Sequence, residues 1–297
     1  MSALLWNPTL AATLSADADL RTLPYPLFAS PKLDGVRATV QHGVLVSRTG
    51  RSIANATAQL MFGSGLFEGL DGELTVGKPS GPDVFNRTVR VTQKRDASAR
   101  DLRFNVFDAF CNLSSFKERQ AYLKDHFAKD MSIVRQTRIT GPDQLALYEE
   151  KALADGYEGV MLRRCDAGPY MQKRSTLREF NLVKLKRFEH AFATTLRVHP
   201  LRHNDNEEKT GTGKRSSKKA GIRLDKTLVG SVDLVDDKTG VEFSVNVLTD
   251  VLRAWPGWKD FAKWRGLHVR YKYQPVGTLK GGAPRFPVCT FDELEMR

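Results

Sequence analysis

The segment Lys32-Leu33-Asp34-Gly35-Val36-Arg37 sets a lysine just ahead of an Asp-Gly turn and an arginine. A lysine attacks phosphorus only as the neutral amine, yet a solvated lysine at neutral pH is almost wholly protonated. Neighbouring cations and partial burial both favour the neutral form. The chain offers such cations in Arg37 and in Lys184 and Lys186 of Leu182-Val183-Lys184-Leu185-Lys186. With a strand period of two, Lys184 and Lys186 share one face while Val183 and Leu185 pack on the other. Two ammonium groups side by side repel unless an anion lies between them, and a phosphate fits that role. Carboxylates are supplied by Asp71 and Glu73, on one face of a strand through Leu70 to Leu74, and by Glu158, which opens Val160-Met161-Leu162. Facing a cation-rich cleft, they can hold Mg²⁺ or ribose hydroxyls. Taken singly, each piece also has an ordinary reading: a surface lysine before a turn, a solvated basic edge strand, carboxylates in ion pairs.

Such groups need rigid elements to hold them. Val36 to Val40 and Val44 to Arg48 alternate in β-prone fashion around Gln41-His42-Gly43, which predicts a hairpin directly after the lysine motif. Leu102 to Phe110 reads as another strand, and Ser115 to Lys129 and Asp143 to Ala154 as amphipathic helices. Beyond Lys186-Arg187 the pattern changes to short strand candidates, Ala191 to Val198, Leu228 to Val235, Val241 to Val247 and Leu267 to Tyr273, consistent with a small β-barrel of about five strands. The polar stretch Arg202 to Arg223 between the first two reads as a mobile loop. Trp255, Trp258 and Trp264 precede the last of these strands and read as packing residues.

The 297 residues suffice for two domains with their own cores. Lysine and arginine number 46 against 34 acidic residues, a net charge of +12 that favours a polyanionic partner and salt-sensitive association. No stretch approaches a membrane span or a secretory signal, so a cytosolic protein is expected. Cys111, Cys165 and Cys289 are odd in number and far apart, which predicts neither a disulfide framework nor a zinc site.

In their order, Lys32 to Arg37, Leu70-Asp71-Gly72-Glu73-Leu74, Glu158-Gly159-Val160-Met161-Leu162-Arg163 and Val183-Lys184-Leu185-Lys186 resemble the nucleotidyl-transfer motifs of ATP-dependent DNA ligases, closest to the compact two-domain phage and bacterial type. The resemblance implies an α+β chain. A nucleotidyltransferase domain of ATP-grasp-like antiparallel sheets with flanking helices would span 1–188, and a C-terminal OB-fold β-barrel 189–297. It implies that Lys32 attacks the α-phosphate of ATP to form lysyl-AMP, that Lys184 and Lys186 contact that phosphate, and that Glu73 engages the ribose or a metal while Glu158 serves mainly the metal, Mg²⁺ with Mn²⁺ as a substitute. Arg37 belongs to the nucleotide site. Phe107, in Phe104-Asn105-Val106-Phe107, matches the aromatic that stacks on adenine, and Arg48, in Ser47-Arg48-Thr49-Gly50, the arginine that engages a nick's 5′-phosphate. Arg285, in Ala283-Pro284-Arg285-Phe286-Pro287, resembles the arginine that orients departing pyrophosphate, although the Arg-Asp-x-Lys form of larger relatives is absent. Many relatives carry an acidic or amide residue just upstream of the lysine; this chain has Ser30-Pro31 there.

No zinc-finger, helix-turn-helix or RNA-binding aromatic signature is evident, and shape and backbone contacts suffice for recognising a nick. Arg87, Lys94, Lys173, Arg174, Lys214, Arg215, Lys218 and Lys219 are the candidates for phosphate contact. Lys32 lies too near Met1 for a further N-terminal DNA-encircling domain, so the two domains are expected to clasp duplex alone. The expected partner is nicked duplex DNA and the expected state a monomer, since no heptad pattern appears. Rival readings are an RNA ligase, a GTP-using mRNA capping enzyme, and a noncatalytic nucleic-acid-binding protein.

Overall fold

The computed structural model describes residues 6–15, 18–81, 83–110, 115–186, 188–207, 215–216, 218–247, 253–254, 264–274 and 282–289. Cys111, Lys214, Trp255 and Trp258 lie outside them. Backbone contacts divide the chain into two units, Ser2–Arg187 and Phe188–Arg297, the second also taking Met1.

The first unit contains two five-stranded sheets. One is built from β1 (Ala12–Leu14), β2 (Leu27–Pro31), β8 (Thr137–Ile139), β9 (Val160–Arg164) and β10 (Val183–Leu185), in the order β1-β10-β9-β2-β8. The other comprises β3 (Val36–Gln41), β4 (Val44–Ser47), β5 (Leu70–Val76), β6 (Leu102–Ala109) and β7 (Ser132–Ile133), in the order β4-β3-β5-β6-β7. Pairing is antiparallel except for β1 with β10 and β6 with β7. Each sheet has its own apolar core. The first centres on Leu27, Leu145, Val160, Leu162, Val183 and Leu185, the second on Leu45, Leu70, Leu74, Phe104, Val106 and Leu123.

The alternation around Gln41 does produce the hairpin of β3 and β4. Its turn is only His42-Gly43, both at positive φ, with Gln41 opposite Val44. The predicted helices are α3 (Phe116–Phe127) and α4 (Pro142–Ala154). Ser115 and Glu118 form a reciprocal capping box that fixes the start of α3. Two helices were not anticipated: α1 (Ala56–Phe62) and α2 (Val84–Thr92). Both are short, 7 and 9 residues, so each offers at most about two and a half turns over which an apolar period can repeat.

The second unit is one five-stranded antiparallel sheet in the order β13-β12-β11-β14-β15, where β11 is Glu189–Asn204, β12 Ile222–Asp236, β13 Glu242–Asn246, β14 His268–Gln274 and β15 Arg285–Cys289. Trp264 packs with Val229, Val232, Leu234, Val245 and Tyr271 in its core. The expected loop over Arg202 to Arg223 is shorter than its polarity suggested. Arg202, His203 and Asn204 pair with Leu224, Arg223 and Ile222, because ladder hydrogen bonds need no apolar side chains where both faces meet water. Strand β15 was not anticipated: its pairing with β14 is interrupted by a register shift, and Pro287 removes a ladder donor. Of the cysteines, Cys165 and Cys289 are free thiols. Among the described residues no helix is long and apolar enough to cross a membrane.

Candidate active site

The lysine motif is the connection that leaves β2 in one sheet and enters β3 in the other, so Lys32 stands where the two sheets meet. Two glycines make that passage possible. A Cβ on Gly35 would sit 2.0 Å from the carbonyl oxygen of Leu74, and one on Gly159 would sit 2.2 Å from that of Leu185, with Gly159 also at φ +146°. Lys32 N–H donates to the Gly159 carbonyl at 2.9 Å, which ties the lysine to the turn that carries Glu158. A side chain at either glycine would force the strands apart.

A cavity of about 260 Å³ opens between the sheets. Lys32, Arg37, Arg48, Glu73, Phe107, Arg174 and Lys184 all line it, so residues from six separated stretches of sequence converge on one space. The Glu158 carboxylate accepts from Lys32 Nζ and lies 3.3 Å from Lys186 Nζ; Glu158 is almost wholly buried beneath both. Burial favours neutral amines, and Lys32 adds its charge; both press the Lys184 and Lys186 ammonium groups below the usual lysine range, against the pull of Glu158. Lys32 and Lys186 thus share a single carboxylate, with Lys184 close enough to feel the charges of Lys32 and Glu158.

Asp71 is not a free carboxylate of the cleft. It is fully buried, takes a two-pronged contact from Arg37 at 2.9 and 2.6 Å, and accepts from the Tyr170 hydroxyl at 2.6 Å. Burial opposes the charge on Arg37, but the Asp71 carboxylate outweighs it and holds the guanidinium more firmly protonated than usual. Arg37 also donates to the Thr9 carbonyl at 2.6 Å and lies over the Phe107 ring at 5.3 Å. It is therefore clamped in place with one flank on the expected stacking aromatic.

Behind this cluster is a second ionic group that sequence reasoning missed. Asp108 receives Arg119 at 2.7 Å and Arg163 at 2.9 Å, and Arg163 lies 4.3 Å from the Phe116 ring centre. Burial pulls the Arg163 guanidinium below its ordinary range despite Asp108. Arg163 directly follows Leu162 in the quoted motif, but nothing in local spacing pairs it with Asp108 or Arg119. Tyr170, in a turn after Gly168-Pro169, carried no sequence signal either.

Burial pushes the Glu73 carboxyl from its ordinary 4.5 up to about 7; Lys32 and Arg37 pull it back, while Asp71 raises it further. The folded protein therefore binds this proton more tightly than the unfolded chain. Stability contributed by the protonated form is full below about pH 4.5 and is lost as pH rises through about 7. Glu73→Gln should consequently gain stability over the wild type at pH 8 and gain little at pH 5, read from urea midpoints at each pH. An equal difference at the two pH values would refute the assignment.

Glu73 lines the cavity, and Glu158 lies beside it under Lys32 and Lys186. Among the described residues no group of three His, Cys, Asp or Glu side chains could hold a metal ion alone. That donor set fits Mg²⁺ arriving with phosphates, since this ion takes one or two carboxylates and fills its octahedron with phosphate and water oxygens.

The remaining basic candidates are dispersed. Arg87 and Lys94 are exposed on and after α2. Lys173 is paired with Glu179 at 2.9 Å, and Arg174 donates to the Ala11 carbonyl at 2.7 Å beside the cavity. In the second unit Arg215 donates to the carbonyls of Asn204 and Asn206, and Lys218 and Lys219 are exposed. The backbone of Arg285 opens β15, while its side chain lies outside the described residues.

In fold, the chain is similar to a Lig E DNA ligase described as binding DNA with a minimal scaffold, with a TM-score of 0.68 at 24% identity over 95% of this chain and 97% of that one. It is also similar to the Chlorella virus DNA ligase-adenylate, with a TM-score of 0.54 at 26% identity over 95% and 97% of the two chains, and a second structure of that ligase gives 27% identity. Comparison with curated protein sequences returns no match. The family described as the ATP dependent DNA ligase domain matches residues 8–186, more than half of the chain and nearly all of the unit that holds the cavity. On that match, this chain belongs to the ATP-dependent DNA ligases.

Proposed function

We propose that the chain seals nicks in duplex DNA with Lys32 as the nucleophile. The observation that carries this reading is the convergence of Lys32, Arg37, Glu73 and Lys184 around one cavity, with Glu158 joining Lys32 to Lys186 beside it. Lys32 Nζ forms a bond to the α-phosphorus of ATP, and the bond from that phosphorus to the bridging oxygen breaks, releasing pyrophosphate. The 5′-phosphate of a nick then displaces Lys32 from phosphorus, and the 3′-hydroxyl displaces AMP. Lys184 and Lys186 neutralise the α-phosphate through these exchanges, and Arg37, Glu73 and Phe107 hold the nucleoside. Positioning and charge compensation carry most of such phosphoryl transfer. Glu73 and Glu158 would hold Mg²⁺, which when bound withdraws charge from the phosphate oxygens.

Further assignments extend this reading. Residues 1–188 form the adenylylation domain and 189–297 an OB-type barrel, supported by the approach of the sheet's outer strands β13 and β15 to each other. Arg48 engages the nick's 5′-phosphate, and Arg285 orients the leaving pyrophosphate. Arg87, Lys94, Lys173, Arg174, Lys214, Arg215, Lys218 and Lys219 contact the DNA backbone, and the protein works as a monomer.

The test is sealing of a singly nicked duplex with ATP and Mg²⁺, run beside matched RNA-containing nicks. Sealing of the all-DNA nick is expected, with duplex affinity falling as salt rises by roughly 0.9 log units per tenfold in salt for each phosphate neutralised. Sealing of only the RNA-containing nick, or labelling of Lys32 by GTP in preference to ATP, would overturn it.

A further inference from the structure

Three cavity-lining residues stand in one row across the sheet that carries Lys32. Lys184 is opposite Met161, and Met161 is opposite Ser30. Strands β2 and β8 pair antiparallel up to Ala29 with Thr137, and Ser30 and Gln136 are the two residues that follow and precede that last pair, Gln136 lining the cavity just ahead of β8. Directly opposed residues point to one side of a sheet, and with strands about 4.8 Å apart the row runs roughly 10 Å from Lys184 to Ser30. Lys184 supplies a cation at one end and Met161 an apolar platform in the middle, while Phe107 lines the same cavity from the other sheet. A nucleotide lying along the row with its α-phosphate at the lysines brings its base to Ser30 and Gln136.

Gln136 is the one side-chain amide lining the cavity, and its orientation is fixed by a neighbour. Its Nε2 donates to the Val134 carbonyl at 3.3 Å, and Val134 in turn donates from its own N–H to Val106 at 2.8 Å. A carbonyl oxygen only accepts, so the NH₂ end of the amide must face Val134 and the Oε1 end must face away. None of the described hydrogen bonds is donated to Oε1. The Ser30 hydroxyl can donate or accept and so does not discriminate; Oε1 only accepts.

We propose that Gln136 reads the substituent at position 6 of the purine, accepting from a 6-amino group through Oε1 and thereby selecting adenine over 6-oxo purines. The inference rests on the reading that ATP occupies this cavity with its α-phosphate at Lys32. A 6-oxo purine would set oxygen against oxygen, and a purine bare at position 6 would leave the amide acceptor unmatched. One neutral hydrogen bond corresponds to about tenfold in rate or affinity.

The experiment is the rate of Lys32 labelling as kcat/KM for three nucleotides: ATP, purine riboside triphosphate and inosine triphosphate. Wild type should rank them in that order, ATP leading purine riboside triphosphate by about tenfold and inosine triphosphate by more. In Gln136→Leu the ratio of ATP to purine riboside triphosphate should fall to near one. Because both nucleotides report on the same folded fraction, partial misfolding cancels from the ratio. A wild-type ratio near one, or a ratio that survives in Gln136→Leu, overturns the role of Gln136. Absence of Lys32 labelling by any nucleotide would instead overturn the reading beneath it.

Discussion

Lys32→Ala protein forms no lysyl-AMP and seals no ordinary nick, a loss of roughly 10⁴-fold or more, because removing a covalent nucleophile removes the step and not merely some of its stabilisation. The neighbours of Lys32 cannot substitute for it. Lys186 is held at 3.3 Å from the Glu158 carboxylate, and Lys184 stands on β10, two strands away from β2, opposite Met161 of the intervening β9. A nick that already carries AMP on its 5′-phosphate bypasses the missing step. On that substrate the variant should retain sealing within about tenfold of wild type, since the remaining displacement draws on charge neutralisation that Lys184 and Lys186 still supply. Labelled AMP on the Lys32→Ala protein would place the nucleophile elsewhere. Loss of sealing on both substrates would show that Lys32 also serves the last step.

Asp108→Ala should destabilise the first unit by about 3–5 kcal/mol, the range expected when one partner of a buried ion pair is removed. The carboxylate is fully buried between Arg119 and Arg163, whose side chains are 1% and 7% exposed. Its loss strands two guanidinium groups away from water. Arg119→Met should cost less, because Asp108 and Arg163 remain as a one-to-one pair and the methionine fills apolar space near Phe116. Urea unfolding of the two variants and the wild type measures the difference. An Asp108→Ala protein within about 1 kcal/mol of wild type would mean that water or relaxation reaches this cluster.

The chemistry-bearing groups were legible because local patterns express them. A strand period of two puts Lys184 and Lys186 on one side, and the Asp-Gly turn and the hairpin after it place Lys32 at a strand end. The helices α3 and α4 could be read because they run for 12 and 13 residues, α3 also from its capping box. Short elements and broken registers are weaker signals, as in the nine-residue α2 and in β15. Asp71 illustrates a different limit. Strand periodicity places it with Glu73, yet its partner Arg37 is 34 positions away and Tyr170 is 99 away, so its part as a clamp on Arg37 and not as a cleft ligand depends on contacts with no local trace.

The amino-acid sequence by itself determined which groups are present and which side of a strand or helix each occupies, because those are consequences of backbone period and turn chemistry over a few residues. Tertiary structure alone decided that Glu158 lies beneath Lys32 and Lys186, that Asp108 joins Arg119 to Arg163, and that Gln136 lines the same cavity as Lys184. Those neighbours are set by strand order and register between distant segments. A shift of one residue in any one pairing would turn the side chain to the opposite face and leave the local sequence pattern unchanged.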